Sequence, residues 1–475
     1  MNPDAIAPPV DSRRAKLAGR AAEQIIADVV ELGWPVGQIL GSEAELLERY
    51  GVSRAVLREA VRLVEHQHVA RMRRGPGGGL VIDEPDIDAV ISPAILYLLR
   101  VDATLDEVFD ARDVLEELTA EIAAKQLDEA DIAAIRQTLS EESAGTSPDY
   151  RLLHSRLAAM THNPVLELFV EILNRVSLYY FSDAAALSPE IHLEVHRAHE
   201  RIATAVLAGN PGLARERMRR HLEAEASFIR NQPATVQRLD ASSAVAGAIG
   251  DKRAEALARN LFADIVETGK PPGAFIGSEA ALMADYSASR AVLREAVRIL
   301  EYHQIALMRR GPGGGLFVAA PDASAVTDII AIYLRRRGVG PHHMSEVRTG
   351  LELAIVERVA ARLKPEDADT IERSLDSESA VGFYRAFGEG QDFHSSLAAL
   401  TGNRALELVH RVTMRLGWLF FSRFAEAAPA VLELSQPSKV EPAHRGVAEA
   451  LLAGDKDLAV MRMRTHLAAT SPSAK

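Results

Sequence analysis

The sequence has 475 residues, of which 48% are hydrophobic and only 5% aromatic, and its formal net charge is −12. This length allows roughly three or four domains of ordinary size. Cores built mainly from Leu, Ala, Val and Ile favour helical packing. The absence of cysteine excludes disulfides, thiolate zinc sites and cysteine nucleophiles. The acidic total argues against a generally basic nucleic-acid coat, although a local basic face remains compatible with it.

The N-terminal part of the chain predicts three helices followed by a two-stranded wing. Residues 1–13 have the composition of a disordered tail, and helical periodicity begins at residue 14. Ser42 with Glu45 forms a capping-box pattern for a second helix. Gly51 suits a left-handed turn, and Ser53 can cap a third helix. Two short strands flank the glycine-rich turn that follows, so we expect one domain over residues 14–83.

Only helical patterns follow over residues 84–230, which predicts a bundle of about six or seven helices. Residues 231–250 have the composition of a linker. The pattern then restarts, because the ten residues from Ser53 to Arg62 return unchanged as Ser289 to Arg298. Over residues 41–82 and 277–318, 27 of 42 aligned positions are identical. This duplication predicts a second copy of each domain, over residues 251–319 and 320–470.

The capping box, the Tyr-Gly-Val-Ser-Arg-Ala-Val-Leu-Arg-Glu-Ala-Val-Arg stretch and the Arg-Arg-Gly-Pro-Gly-Gly-Gly turn together resemble the GntR family of bacterial transcription regulators. The helical bundles resemble the FCD domains of its FadR-like branch. The resemblance implies a mainly α protein, with two winged helix-turn-helix domains each followed by an all-helical FCD-type bundle. It also implies a DNA-binding regulator rather than an enzyme. We expect a repressor of a metabolic operon whose operator affinity is controlled by a small organic acid or acyl-type effector.

The candidate DNA-binding residues lie on the third helix and the wing. Arg54 and Arg58 lie four residues apart and share a helix face. Residues 49–74 carry seven arginines against two acidic residues. By resemblance, the DNA-binding residues are Ser53, Arg54, Arg58, Arg73, Arg74 and Gly77, with Ser289, Arg290, Arg294, Arg309, Arg310 and Gly313 in the second copy. The alternative is that these arginines form solvated pairs within the helix, such as Arg62 with Glu59.

The sequence departs from the family's DNA-binding pattern at one position in both copies and at a further position in the second copy. Both copies have Ala where the family has Arg after Ser-Glu, at Ala44 and Ala280. The second copy also has Ser287 in place of Gly51, and Ser tolerates the left-handed region poorly. The second copy could therefore serve only for dimerisation, within a sensor whose first copy alone binds DNA. The glycine-rich turn lacks the Gly-Lys-Ser/Thr ending of a phosphate-binding loop.

Three histidines in each bundle match the metal-binding positions of FCD domains. They are His154, His199 and His221 in the first bundle and His394, His444 and His466 in the second. Three imidazoles suit Zn²⁺ or a similar divalent ion, with open positions for water or a carboxylate. The family's aspartate, four residues before the first histidine, is replaced by Tyr150 and Gly390. The histidines could instead line a polar pocket, and without a carboxylate base a metal-dependent hydrolase is disfavoured.

Arg112 and Arg348 match an Arg-x-x-Leu-Glu pattern that ends at Glu116 and Glu352. Each arginine could bind an effector carboxylate or pair with the glutamate. The expected partners are double-stranded operator DNA and a small-molecule effector. A homodimer is the alternative to a single chain that forms its own pseudo-dimer. No run approaches the roughly 18–20 apolar residues of a membrane span, and no signal peptide begins the sequence, so we expect a cytoplasmic protein.

Overall fold

The fold is described from a computed structural model of the chain. The residues that it describes are 12–75, 77–84, 87–143, 151–178, 189–231, 253–309, 311, 313–381, 392–427 and 437–470. The chain divides into two units: the first is Met1–Val90 with Asp328–Arg337, and the second is Ile91–Thr327 with Gly338–Lys475. Among the described residues, no helix is both long and apolar enough to cross a membrane.

The first unit contains a winged domain, here called winged domain 1. Its elements in chain order are α1 (Ser12–Glu31), β1 (Ile39–Gly41), α2 (Glu43–Tyr50), α3 (Arg54–His66), β2 (Ala70–Arg73) and β3 (Gly79–Ile82). The predicted capping box is confirmed, since the Ser42 amide donates to Glu45 at 2.7 Å and the Glu45 amide donates to the Ser42 hydroxyl at 3.4 Å. Gly51 ends α2 with φ +60°. Ser53 caps α3 by accepting from the Val56 amide at 3.3 Å.

The predicted hairpin is confirmed, because β2 pairs with β3, and a third strand that the sequence did not predict, β1, also pairs with β3. The strand order is β1-β3-β2, and both pairings are antiparallel. The sequence gives little sign of β1 because it is only three residues long and depends on β3 for its hydrogen bonds. Gly79 is required where they meet, since a Cβ there would lie 2.6 Å from the Gly41 carbonyl oxygen.

The core of winged domain 1 also includes a side chain from far along the chain. Ile332 packs with the buried residues of α1, α3 and the wing. It belongs to α14 (Ala323–Arg336). In the same unit Arg336 forms an ion pair with Glu84. Winged domain 1 is therefore completed by the helix that follows the second wing.

In the second unit, the helix that follows the first wing packs on the second winged domain. Winged domain 2 consists of α11 (Arg253–Glu267), β4 (Phe275–Gly277), α12 (Glu279–Asp285), α13 (Arg290–Tyr302), β5 (Ala306–Arg309) and β6 (Gly315–Val318). Its sheet order is β4-β6-β5. Leu96 and Leu99 of α4 (Asp88–Arg100) pack into its core. Arg100 donates to the carbonyl oxygens of Gln304 and Ala319. The sequence predicts α4 as the first bundle helix, whereas these residues pack on the winged domain of the other repeat.

Two helical bundles make up the rest of the second unit. Bundle 1 contains α5 (Leu105–Ala123), α6 (Glu129–Ser143), α7 (Leu152–Met160), α8 (Pro164–Leu178), α9 (Pro189–Leu207) and α10 (Pro211–Arg230). Bundle 2 contains α15 (Pro341–Arg362), α16 (Ala368–Val381), α17 (Phe393–Leu400), α18 (Arg404–Ala427), α19 (Pro437–Leu452) and α20 (Lys456–Thr470). Buried Leu, Ile, Val and Ala dominate both interiors, as the composition predicts.

The two bundles contact each other through matched asparagines. Asn163 caps α8 through the Val165 amide at 3.1 Å, and its Nδ2 donates to the His343 carbonyl at 2.9 Å. Asn403 caps α18 through the Leu406 amide at 2.9 Å, and its Nδ2 donates to the Glu107 carbonyl at 2.9 Å. The cross-contacts give the interface between the bundles a pseudo-two-fold character.

Candidate functional site

The recognition helix of winged domain 1, α3, presents its arginines on an exposed face. Val56, Leu57 and Val64 are buried on its opposite face. Arg54 pairs with Glu43 of α2 at 3.1 Å, and both side chains remain largely exposed. Exposed Arg58 forms no ion pair within the described part of the chain. The helix thus offers at least one uncommitted guanidinium, next to an N-terminus whose amides suit a phosphate.

In the wing, the two predicted arginines differ in their contacts. Arg73 donates from Nη2 to the Gly77 carbonyl oxygen at 2.9 Å, so it braces the turn. Arg74 is exposed. Gly77 has φ +69°, a conformation that a side chain would strain. The wing therefore combines a braced turn with a protruding cation, as minor-groove insertion requires.

Winged domain 2 holds its matched arginines differently. Arg290 and Arg294 of α13 each lie 3.3 Å from the same carboxylate oxygen of Glu279. Arg309 stacks on the Phe317 ring, with its guanidinium carbon 4.3 Å from the ring centre. Ser289 caps α13 through the Val292 amide at 3.4 Å. More of the positive charge is therefore engaged than in winged domain 1.

The turn and the wing tip of winged domain 2 each contain a residue with a left-handed backbone conformation. Ser287 occupies the left-handed region with φ +49°, as its match to Gly51 predicts. Gly313 has φ +74°. Arg310 lies outside the described residues.

The predicted histidines of bundle 1 do meet in space. His154, His199 and His221 are all buried, and their ligand atoms lie within 4.8 Å of one another. The Nε2 atoms of His221 and His154 are 3.2 Å apart. Two glutamates hold the far sides of two rings, since Glu116 contacts Nδ1 of His154 and Glu142 contacts Nδ1 of His199 at 2.9 Å.

Bundle 2 repeats the arrangement with His394, His444 and His466. Glu352 lies 2.5 Å from Nδ1 of His394, and Glu378 lies 2.7 Å from Nδ1 of His444. The Nε2 atom of His444 lies 3.1 Å from that of His394 and 3.2 Å from that of His466. Each bundle therefore has two carboxylate–imidazole pairs behind a three-histidine centre.

The donor set of each centre fits a divalent metal ion. A carboxylate at Nδ1 keeps the proton on that nitrogen and leaves the Nε2 lone pair free. In bundle 2 the Nε2 atoms of His394 and His444 lie 3.1 Å apart, close enough for one metal ion to be bound by both. In bundle 1 the buried Nε2 of His199 has no hydrogen-bond partner among the described residues. Imidazole nitrogens in this pattern are typical Zn²⁺ ligands.

Burial favours the neutral form of several of these imidazoles, which is the form that a metal ion requires. Burial lowers the pKa of His199 and of His444. Burial, then the neighbouring histidines and the Arg112 and Arg201 guanidinium groups, lowers the pKa of His221 well below its usual value. Burial opposes ionisation of Glu116, but Arg112 and His154 outweigh it and lower its pKa to about 2. Burial thus favours the neutral imidazoles of His199, His221 and His444, and Glu116 keeps its charged carboxylate behind His154.

The family's aspartate position lies outside the described residues in both bundles, because Tyr150 and Gly390 are not among them. Nearby Asp392 caps α17 instead, accepting from the Ser395 amide at 3.0 Å. Among the described residues, each metal-ligand group contains histidines only. Three imidazoles leave positions in a metal's coordination sphere for water or an effector carboxylate.

The two candidate effector arginines both pair with the predicted glutamates. Arg112 is buried and lies 2.7 Å from Glu116 and 2.9 Å from Glu225. Arg348 lies 3.0 Å from Glu352, and its Nη2 lies 3.4 Å from Nε2 of His394. Each arginine is thus structurally paired and still lies beside its histidine centre.

In bundle 1 these groups line a cavity of about 970 Å³, here called the bundle 1 cavity. Its wall includes Arg112, the three histidines, Asn174 of α8 and several arginines of α9 and α10. This volume accommodates a small metabolite or a drug-sized ligand.

The sequence interpretation missed the carboxylates Glu142 and Glu378, which orient the second histidine of each centre. A usable signal was present, because both pairs of orienting glutamates recur at one period: 352 − 116 = 236 and 378 − 142 = 236. The same period separates the two copies of the recognition helix, since 289 − 53 = 236.

Comparison with known proteins places both types of domain in described families. The profile "FCD domain" matches residues 107–224 and 343–469, and "Bacterial regulatory proteins, gntR family" matches residues 17–79. The chain is 28% identical over 221 residues to the Uxu operon regulator of Haemophilus influenzae, covering 43% of this chain and 78% of that protein. It is 27% identical over 205 residues to the HTH-type transcriptional regulator LutR of Bacillus subtilis, covering 39% of this chain and 89% of that protein.

Among solved structures, the chain is similar to a GntR protein of Streptococcus agalactiae, with 22% identity and a TM-score of 0.31. That match covers 44% of this chain and 99% of the other. Most of each of these proteins thus corresponds to less than half of this chain.

Proposed function

The chain belongs to the GntR family of bacterial regulatory proteins and carries two FCD domains, and from that premise we propose that one chain binds one operator through both winged domains. It is a DNA-binding transcriptional regulator with FCD effector-binding domains, and the relatives that it matches are regulators rather than enzymes. In this proposal residues 14–83 and 251–319 bind DNA. Residues 84–230 and 320–470 carry the effector sites.

The observation that carries the proposal is the arginine pair presented twice in one chain. Arg54 with Arg58 and Arg290 with Arg294 lie on exposed faces of recognition helices that are each 13 residues long. A helix of this kind enters the major groove with its N-terminal residues near the bases. The remaining contacts would come from Ser53, Ser289, the wing arginines and the wing glycines.

We further propose that the chain forms its own pseudo-dimer. Support comes from the matched contacts of Asn163 and Asn403, which resemble the self-complementary interface of a two-fold dimer. Light scattering of the purified protein should then give the mass of one chain, 51.5 kDa. A mass of twice that value at working concentration would instead support a homodimer with four winged domains.

The bundles are proposed to bind a divalent ion, Zn²⁺ or a similar metal, together with a small organic acid or acyl compound. His154, His199 and His221 would hold one ion, and His394, His444 and His466 the other. The ion would supply a Lewis-acidic site for an effector carboxylate. Arg112 and Arg348 lie beside these centres and would orient the effector. Effector binding would weaken operator binding, and by linkage the operator would weaken effector binding to the same extent.

Mapping the operator tests the proposal directly. DNA from the promoter region of the protein's own gene is footprinted with the full chain at physiological salt. We expect a protected site with two half-sites and a Kd in the range of about 10⁻⁸–10⁻¹¹ M. Transcription from that promoter should fall when the protein is supplied, as repression requires. Binding without sequence preference would contradict the proposal.

A second candidate function is favoured by the contacts of Glu279. Because this carboxylate engages both Arg290 and Arg294, winged domain 2 could serve only as a dimerisation module. The protein would then be a metal or ligand sensor that binds DNA through winged domain 1 alone. A footprint limited to one half-site would support this candidate.

A further inference from the structure

The bundle 1 cavity contains polar groups that its counterpart sequence in bundle 2 does not. Asn174 of α8 lines the cavity and is 2% exposed, and neither its Oδ1 nor its Nδ2 has a hydrogen-bond partner among the residues that the structure describes. A buried amide costs free energy unless it is hydrogen-bonded. An orphaned amide that faces a cavity therefore indicates a polar ligand in that cavity.

The charge on the cavity wall indicates the sign of that ligand. Among the described residues, six arginines and three glutamates line the cavity: Arg112, Arg151, Arg197, Arg201, Arg217 and Arg220, with Glu194, Glu216 and Glu225. Arg112 is neutralised by Glu116 and Glu225, and Arg220 pairs with Glu216 at 2.7 Å. Arg197 and Arg201 of α9 form no ion pair with any described residue. They lie four residues apart, so they point from the same face of the helix.

The second repeat has lost these groups. Helices α8 and α18 align with an offset of 240, since 403 − 163 = 240, which matches Asn174 to Met414. Helices α9 and α19 align with an offset of 245, since 444 − 199 = 245. This offset matches Arg197 to Pro442 and Arg201 to Gly446.

The histidines and their glutamates are kept in both repeats, whereas the orphaned amide and the two unpaired arginines occur only in the first. The difference therefore concerns ligand recognition rather than the histidine centre. Arg197 and Arg201 provide positive charge that is separate from the neutralised Arg112. This charge suits a second acidic group on the ligand.

We propose that bundle 1 is the tight effector site and that its effector is an anion with two acidic groups, the second of which binds Arg197 and Arg201. The proposal rests on the function proposed above and names its ligand class. The second group is a carboxylate or a phosphate, since both accept hydrogen bonds from guanidinium groups. Asn174 binds a polar group between the two ends. Bundle 2 lacks this second subsite.

Calorimetry on the full chain without DNA tests this with two matched pairs of compounds. Adipate differs from hexanoate by one distal carboxylate, and 3-phosphoglycerate differs from glycerate by one phosphate. The dianionic member of at least one pair should bind about tenfold more tightly than its partner, as one added charge-assisted contact predicts. It should bind with a stoichiometry of one per chain. A preference for adipate identifies a carboxylate, and a preference for 3-phosphoglycerate identifies a phosphate.

Variants then locate the subsite. The double change Arg197→Gln with Arg201→Gln should weaken the dianion about tenfold and leave the monoanion within about twofold. Asn174→Met should weaken both members of the pair. The matched control is Arg411→Gln with Arg445→Gln, two arginines of bundle 2 that pair within their own helices. This control removes the same charge and should leave both affinities unchanged.

Three results would overturn the proposal: no binding of any of the four compounds, equal binding within both pairs, or a preference that survives the Arg197→Gln, Arg201→Gln change. Two equivalent sites per chain would overturn the assignment to bundle 1. Operator binding is measured separately on the same wild-type preparation. If the wild-type protein does not bind the operator, the proposed operator-binding function is contradicted. The calorimetry tests the ligand class alone.

Discussion

Among the described residues, winged domain 1 leaves Arg58 of its recognition helix without an ion pair, whereas winged domain 2 ties both matched arginines to Glu279. The turn before the helix differs as well, with Gly51 at φ +60° in one domain and Ser287 at φ +49° in the other. The recognition helices themselves have the same sequence over ten residues, Ser53–Arg62 and Ser289–Arg298. The same recognition helix therefore carries different free charge in the two copies, because the matched glutamate contacts one arginine as Glu43 and two as Glu279.

The two bundles diverge in another way. Both keep three buried histidines and the glutamates behind them. The groups around these centres have changed, because buried Arg112 has two carboxylate partners while Arg348 has one and reaches towards His394. Under the proposed function, the repeats would share the metal site and differ in what else they recognise.

The largest expected effect concerns the feature that the bundles share. Protein purified without a nickel column should contain about two divalent ions per chain, and either His221→Ala or His466→Ala should remove one of them. Chelation should lower the free energy of unfolding by about 4 kcal/mol if the free metal exceeds its Kd a thousandfold. Elemental analysis and denaturant unfolding measure these effects, with exposed His342→Ala as the control. Protein without bound metal would contradict both sites.

The next effect tests winged domain 1. Arg54→Ala combined with Arg58→Ala should weaken operator binding at least about 100-fold, because each lost contact to DNA costs about 1–3 kcal/mol. Fluorescence anisotropy with the mapped operator measures the change. Arg136→Ala with Arg411→Ala removes two exposed arginines of the bundles and should change the Kd little. Unchanged binding by the first variant would remove these arginines from the DNA interface.

A smaller effect is expected in winged domain 2. Arg290→Ala with Arg294→Ala should weaken operator binding by about tenfold, since these side chains must first leave Glu279. Glu279→Gln should strengthen binding several-fold by freeing both arginines. The same anisotropy assay applies, and the matched change in winged domain 1 is Glu43→Gln. If the arginine variant binds as tightly as wild type, winged domain 2 does not contact the operator.

The smallest effect concerns the turn. Gly51→Ser should lower the free energy of unfolding by about 1 kcal/mol, the usual cost of a side chain in the left-handed region. Ser287→Gly should raise it by less than about 1 kcal/mol, because relief of this strain is offset by the greater freedom of Gly in the unfolded chain. Chemical denaturation of both variants and the wild-type protein measures these changes in the free energy of unfolding. Equal effects of the same sign would refute the assignment of strain to Ser287.

Much of the fold could be predicted from the sequence because its signals are local. Ser42, Ser53 and Asn163 act through hydrogen bonds to amides two or three residues away, so the helix starts could be read directly. The resemblance to FCD domains, with matching histidine spacing in the two copies, predicted which imidazoles would meet. The roles of Glu142 and Glu378 could not be assigned in this way, since each contacts a histidine more than fifty residues away.

The sequence by itself determined the element types and the duplication, since these depend on periodicity, capping and repeated stretches, and its resemblance to FCD domains identified the histidines of each centre. Only the tertiary structure decided that α4 packs on winged domain 2, that Ile332 completes winged domain 1, and that Asn163 and Asn403 bridge the bundles. The physical reason is that these contacts join residues roughly 180 or more positions apart. An apolar stripe on a helix specifies that it must be buried, and it does not specify which copy of a duplicated surface will bury it.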